Sequence, residues 1–352
     1  MINFHCVLNL TVNKRQVHET KGSFYIYLPK DWIIKNQIDK EKSVSLIEYF
    51  DDSLILKNDP DLFKIDKEVI IPLDELNEDK SILQNYIIAA YIIGANKITV
   101  SSEKEIIKAQ IREDVSSQIR ELPGFEIIEE NDKIIRSKEI GQILDINSII
   151  QTLFSTTTVM FRAIQELISD PDKDEDSLKK ELKAIIKRDD DIDRYRHMVD
   201  RQSHLILSDP YLISVQRLNP ISTLHISQIA SHIERIADHI VELAKFIRLN
   251  VLEMQILKEN LFTLINIGIE NFSILATIYQ KGNYLEALEQ YKSIHNYEKS
   301  IQKKLKSEEF NFGIYHLGRI FSYCENIAEI LINQTAYDVL YLRTENQKDK
   351  LD

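Results

Sequence analysis

The spacing of apolar residues changes twice along these 352 residues, and each change marks a different kind of structure. In GSFYIYLP, Phe24, Ile26 and Leu28 alternate with Tyr25 and Tyr27, the two-residue period of a strand. Pro29 ends that strand, and KDWIIKNQI supplies one or two helical turns. SVSLIEYF and SLILK then flank Asp51-Asp52 as a hairpin. From about 59 to 142 the period alternates. LQNYIIAAYIIGA suits a buried helix before the strand KITVSS, and VSSQIRELPG suits a helix before FEIIEE, with a turn at Pro123-Gly124. From about 143 the spacing is helical throughout. Ile226, Ile229, Ile233, Ile236, Ile240, Leu243 and Ile247 form an unbroken seam for an antiparallel bundle. Breaks at Ser169-Asp170-Pro171-Asp172, Ser208-Asp209-Pro210, Asn219-Pro220, Lys281-Gly282-Asn283 and Asn311-Phe312-Gly313 divide this part into about six helices.

The expected architecture is therefore α+β, in three segments: a β-rich segment 1–58, a small α/β segment 59–142 and an all-α bundle 143–345. The bundle reads as two three-helix repeats, about 143–250 and 251–345. SIIQTLFSTTTVMFRAIQELISDPD parallels ENLFTLINIGIENFSILATIYQKGN, and HIERIADHI parallels CENIAEILI. No run of about 18 apolar residues is apparent, so no membrane-spanning helix is expected. The start, MINFHCVLNL, lacks the basic region of a signal peptide. Cys6 and Cys324 lie far apart and outside any Cys/His cluster, and read as free thiols in a reducing cytoplasm. The net charge of −12 falls unevenly: residues 1–58 carry +1, leaving −13 for the rest. Only the first segment is electrostatically suited to nucleic acid.

Candidate chemistry sits in acidic pairs four residues apart, which share one helix face. Asp189/Asp193 lies in KRDDDIDRYRHMVDRQ, Glu234/Asp238 in ASHIERIADHIVELAK and Glu325/Glu329 in YCENIAEIL. Glu234 and Asp238 fall off the apolar seam, where carboxylates are ordinarily solvated. However, Asp189 to Glu234 and Asp193 to Asp238 are both 45 residues apart, so antiparallel neighbours can bring the pairs together. Arg194 and Arg235 are few positives for four acids, and a cation would relieve the repulsion. Oxygen donors suit iron, manganese, magnesium or calcium, while His197 after Asp193 and His204 after Asp200 would extend the choice to iron or zinc. A carboxylate-bridged di-metal oxidase needs Glu-x-x-His, and no histidine here has Glu three residues before it. Phosphate loops, HExxH and nucleophile elbows are absent too. His225, His232, His239 and His316 read as structural or solvated, and Cys324 as core.

KRDDDIDRYRHMVDRQ and ERIADHIVELA make the C-terminal half resemble the PhoU phosphate-uptake regulators, whose hallmark is paired E/D-x-x-x-D motifs on a two-repeat, six-helix bundle. KRQVHETKGSFYIYLPKDWI and its hairpin resemble the SpoVT/AbrB-type swapped-hairpin domain, and the two are joined in archaeal PhoU-like proteins. The resemblance implies a cytoplasmic, non-enzymatic homodimer that represses phosphate uptake by contacting phosphate transporter components at the membrane. It also implies metal on the bundle surface, iron first, with manganese, zinc or magnesium as alternatives. The implied ligands are Asp189, Asp193, Glu234 and Asp238 in the first repeat, and Glu325 and Glu329 in the second. There Asn326 replaces the motif's Arg and IHNYEKSIQKKL keeps only Glu298, so the second site is expected to be weakened or empty. AbrB-type domains dimerise by interleaving hairpins and present basic residues to DNA, here Lys14, Arg15, Lys21 and Lys30. The alternative is thus a DNA-binding transcriptional regulator with the bundle as sensor.

Overall fold

A computed structural model describes residues 14–58, 67–76, 80–141, 145–169, 174–216, 218–249, 254–283, 285–306 and 312–348. Cys6 and Asp170-Pro171-Asp172 lie outside these residues. The chain divides into two compact units, residues 1–65 and 66–352.

In the first unit, β1 (His18–Thr20) and β2 (Ser23–Tyr25) pair antiparallel around Lys21-Gly22. Both turn residues have positive φ, 52° and 80°, the geometry of the tight turns that match strand twist. The strand ends at Tyr25, short of the predicted Leu28. Helix α1 (Lys30–Lys35) follows Pro29, and β3 (Ser45–Glu48) pairs with β4 (Leu54–Lys57) as the expected hairpin. Ile47 is the one buried hydrophobic side chain among this unit's described residues, whereas Phe24 and Tyr27 are 73% and 64% exposed.

The second unit opens with a four-stranded sheet ordered β5-β6-β8-β7. Strands β5 (Glu68–Pro72) and β6 (Lys97–Ser101) run parallel through the crossover helix α2 (Lys80–Ile92). Helix α3 (Ala109–Glu121), β7 (Phe125–Glu130) and β8 (Ile134–Glu139) complete it, with β8 antiparallel to both neighbours. Neither β5 nor β8 is apparent from periodicity.

The bundle comprises α4 (Ile146–Ser169), α5 (Glu175–Ser208), α6 (Pro210–Gln216), α7 (Pro220–Leu249), α8 (Met254–Lys281), α9 (Glu286–Lys306) and α10 (Phe312–Lys348). The extra helix α6 starts on Pro210, whose fixed φ suits a first helical position. Caps come from the residues that break the pattern: Asp174 accepts from Asp176 and Ser177 N–H, and Asn219 from Ser222 N–H. Every member of the Ile226–Ile247 seam is at most 4% exposed. Helix α7 lies against α4, α5 and α10, while α8 and α9 contact each other and α10. Contrary to the expectation from sequence, Leu261–Lys281 is long and apolar enough to cross a membrane by composition. In this fold Leu261, Ile265, Phe272, Leu275 and Ile278 of that stretch are buried.

Arg201 of α5 fastens the bundle to the sheet layer. It is 2% exposed, donates to the carbonyls of Tyr91 (2.5 Å) and Ala95 (2.9 Å), and pairs with Glu139 at 2.8 Å. Its guanidinium lies 4.8 Å from the Tyr91 ring centroid and 5.3 Å from that of Phe125. One turn on, Leu205 meets Gly94, whose φ of +89° and lack of Cβ both matter: a Cβ there would lie 2.7 Å from Leu205 Cδ2. Replacing Arg201 by Ala strands the Ala95 carbonyl and leaves Glu139 without its cation, while the Tyr91 carbonyl keeps Gly94 N–H. We expect a loss of about 3 kcal/mol or more in chemical denaturation, and a smaller loss for Glu139→Gln.

Candidate metal centres

Helices α5 and α7 bring the first two acidic pairs face to face. Asp189 and Asp193 on α5 interact electrostatically with Glu234 and Asp238 on α7. Burial and the charges of Asp193, Asp238, Asp190 and Glu234 push the Asp189 carboxyl up to about 6, from an ordinary 3.8. Its Oδ1 is buried without a hydrogen-bond partner. Glu234 is raised first by burial and then by Asp238. Asp193 is raised in the same order, although its outer side faces solvent. Arg235 offsets part of this, 3.2 Å from Asp238 and 3.5 Å from Glu234, and the charge of Arg196 lowers both Asp193 and Glu234. Arg194 instead pairs with Asp191, at 3.5 Å. An orphaned carboxylate oxygen among repelling acids favours a cation, although these four side chains do not place three ligand atoms within 4.8 Å of one another.

The third pair has a different neighbourhood. Glu325 and Glu329 project from α10, and Glu325 Oε1 lies 2.7 Å from His295 Nδ1 on α9. One ligand atom each from His295, Glu298 and Glu325 lies within 4.8 Å of the others, the one such set of three among the described residues. Glu329 is not in that set; both Glu325 and Glu329 act on Tyr291, Glu325 the more strongly. Hydrogen bonding to Glu325 is the main cause of the raised Tyr291 pKa. The Tyr291 and His295 rings stack at 5.7 Å with 12° between planes. Neither Tyr291 nor His295 emerges from the sequence reading. The available signal was His-x-x-Glu at 295–298, the reverse of the order sought, which places the same two side chains on one face.

Elsewhere, His197 and Asp193 line a cavity of about 380 Å³ with Ile88, Pro123 and Lys187. Asp200 is held by Arg196 and Ser227, while His204 Nδ1 meets the Asp200 carbonyl at 2.8 Å, so these two offer no joint site. His239 and His316 place their Nδ1 atoms 2.8 Å apart, and burial with the neighbouring His316 pushes His239 down to about 4. Cys324 is fully buried, as expected, and burial pushes its thiol up. Lys14, Arg15, Lys21 and Lys30 are exposed in the first unit, with Lys21 at the hairpin tip.

Comparison with known families adds one assignment. Residues 150–247 match the PhoU domain. The PhoU match spans most of α4, all of α5 and α6 and most of α7, and so contains Asp189, Asp193, Glu234 and Asp238. It supports a PhoU-like protein and suggests involvement in regulating phosphate homeostasis. No curated protein matches the chain.

The titration of Asp189 gives a signed prediction. Its folded pKa lies above its unfolded value, so its contribution favours folding below 3.8 and is lost as pH rises through about 6. In chelator at pH 7, Asp189→Asn is expected to stabilise the protein by on the order of 1 kcal/mol. The gap to wild type should shrink as pH falls from 7 to 5. The difference between variants is the readout, because neutral His239 and His197 favour folding in the opposite direction with pH.

Proposed function

We propose that this chain is a non-enzymatic, PhoU-like regulator of phosphate uptake that binds metal through paired acidic side chains and acts on a phosphate transporter or its genes. The observation that carries this reading is the α5/α7 carboxylate face, with its unpartnered Asp189 oxygen, inside the stretch that matches the PhoU domain. Four carboxylates that repel one another are stabilised by an ion. An all-oxygen set suits ferric iron, manganese or magnesium, and a bound ion would supply charge neutralisation that ties α5 to α7. Glu325 and Glu329 are proposed to serve the second site. Elemental analysis of purified protein tests this. We expect iron or manganese to be retained by wild type and lost from Asp189→Ala/Asp238→Ala, and equal content in both would overturn the α5/α7 assignment.

The resemblance of the first segment to AbrB-type domains, with one buried hydrophobic residue and many exposed ones among its described residues, supports a homodimer formed through this unit. It also supports the second reading, a cytoplasmic DNA-binding regulator, because the same unit displays Lys14, Arg15, Lys21 and Lys30. Phosphate contacts from a handful of lysines and arginines give salt-sensitive binding. We expect a shifted DNA band at low salt that weakens in the fourfold Ala variant; equal shifts by both proteins would remove this reading. Pull-down from phosphate-replete and phosphate-starved cells is expected to recover transporter components preferentially when phosphate is plentiful.

A further inference from the structure

The second site does not repeat the first. On α9, Tyr291, His295 and Glu298 are spaced four and three residues apart, so all three project from one helix face toward Glu325 on α10. The α5/α7 site offers oxygen alone, while this one offers an imidazole nitrogen, two carboxylates and a phenol. We infer that the two sites take different ions: the α5/α7 carboxylates a hard, oxygen-seeking ion, and the α9/α10 site a zinc-type transition ion held by His295, Glu298 and Glu325.

The geometry suits this. Bonds of about 2.0–2.2 Å from one zinc ion to an imidazole nitrogen and a carboxylate oxygen place those atoms roughly 3 Å apart. His295 Nδ1 and Glu325 Oε1 are 2.7 Å apart, so the proton between them stands where a cation would bridge the same pair. Binding replaces that proton and needs only a small widening. The third donor, Glu298, already offers an oxygen within 4.8 Å of a ligand atom on each of the other two residues. Tyr291 orients Glu325 and Glu329 from outside, the kind of support that fixes a ligand's direction. Imidazole favours zinc over manganese or magnesium, which prefer oxygen shells. Loss of the all-acid pattern around IHNYEKSIQKKL is therefore a change of donor type rather than decay.

The inference rests on the metal-binding reading of the bundle, and the test separates the two. Metal-stripped full-length protein is titrated with cobalt as a spectroscopic probe, then with zinc, manganese or magnesium as competitors. We expect a visible cobalt band displaced by zinc and not by manganese or magnesium. It should persist in Asp189→Asn/Asp238→Asn and weaken more than about tenfold in His295→Ala, a ligand counting for at least as much as its outer support. His295→Gln guards against misfolding, with helicity checked by circular dichroism. X-ray absorption of zinc-loaded wild type detects imidazole directly, without any variant. Zinc affinity indifferent to His295, or an absorption spectrum lacking imidazole scattering, overturns this inference and leaves the α5/α7 reading standing. Zinc at His295 with no ion at Asp189 overturns the latter alone.

Discussion

The position of α5 is set by what surrounds one guanidinium. Asp200, Arg201, Gln202 and Ser203 are four consecutive buried polar residues, which marks a helix covered over most of its circumference. Arg201 meets the end of α2, the ring of Phe125 and Glu139, and so joins the sheet layer to the bundle in one unit. A charge this deep is tolerated because its carboxylate, two carbonyls and two aromatic faces replace the water it gave up. Asp189 lies twelve residues earlier on the same rigid helix, about 18 Å away. The acidic face on α5 is thus registered by a contact that has nothing to do with its chemistry.

Much of this architecture was legible in the residues. The isoleucine seam of α7 reads directly, because an interior helix must repeat its apolar positions at helical spacing. The turns at Pro123-Gly124 and Lys281-Gly282-Asn283 read equally well, since Gly124 and Gly282 both adopt positive φ. Strands β5 and β8 were not legible: in IIRSKE the pairing partner rather than the sequence decides the conformation. Arg201 could not be foreseen as an anchor, because an arginine in a helical stretch is ordinarily solvated. His295 escaped for a different reason. A motif was sought in one direction along the helix, whereas side-chain proximity is the same in both.

The two acidic faces show how one scaffold geometry can diverge chemically. Both place carboxylates from adjacent helices toward one another. On α5/α7 the counter-charges of Arg235 and Arg196 offset part of the repulsion that burial and crowding create. On α9/α10 an imidazole and a phenol take part of that role by hydrogen bonding. The first arrangement holds unspent repulsion, visible in the raised Asp189 and Glu234 carboxyls; the second is internally satisfied.

The first unit carries a consequence of a different sort. Ordering a backbone costs about 1–2 kcal/mol per residue, and the one isoleucine buried among the described residues offsets only a small part of that. Phe24, Tyr27, Leu46 and Leu54 are all exposed, so covering them would add the burial that these residues lack. With a second copy as the cover, folding of this segment becomes bimolecular. The abundance of the chain would then set how much of its N-terminal unit exists in ordered form, which makes gene dosage itself an input to the fold.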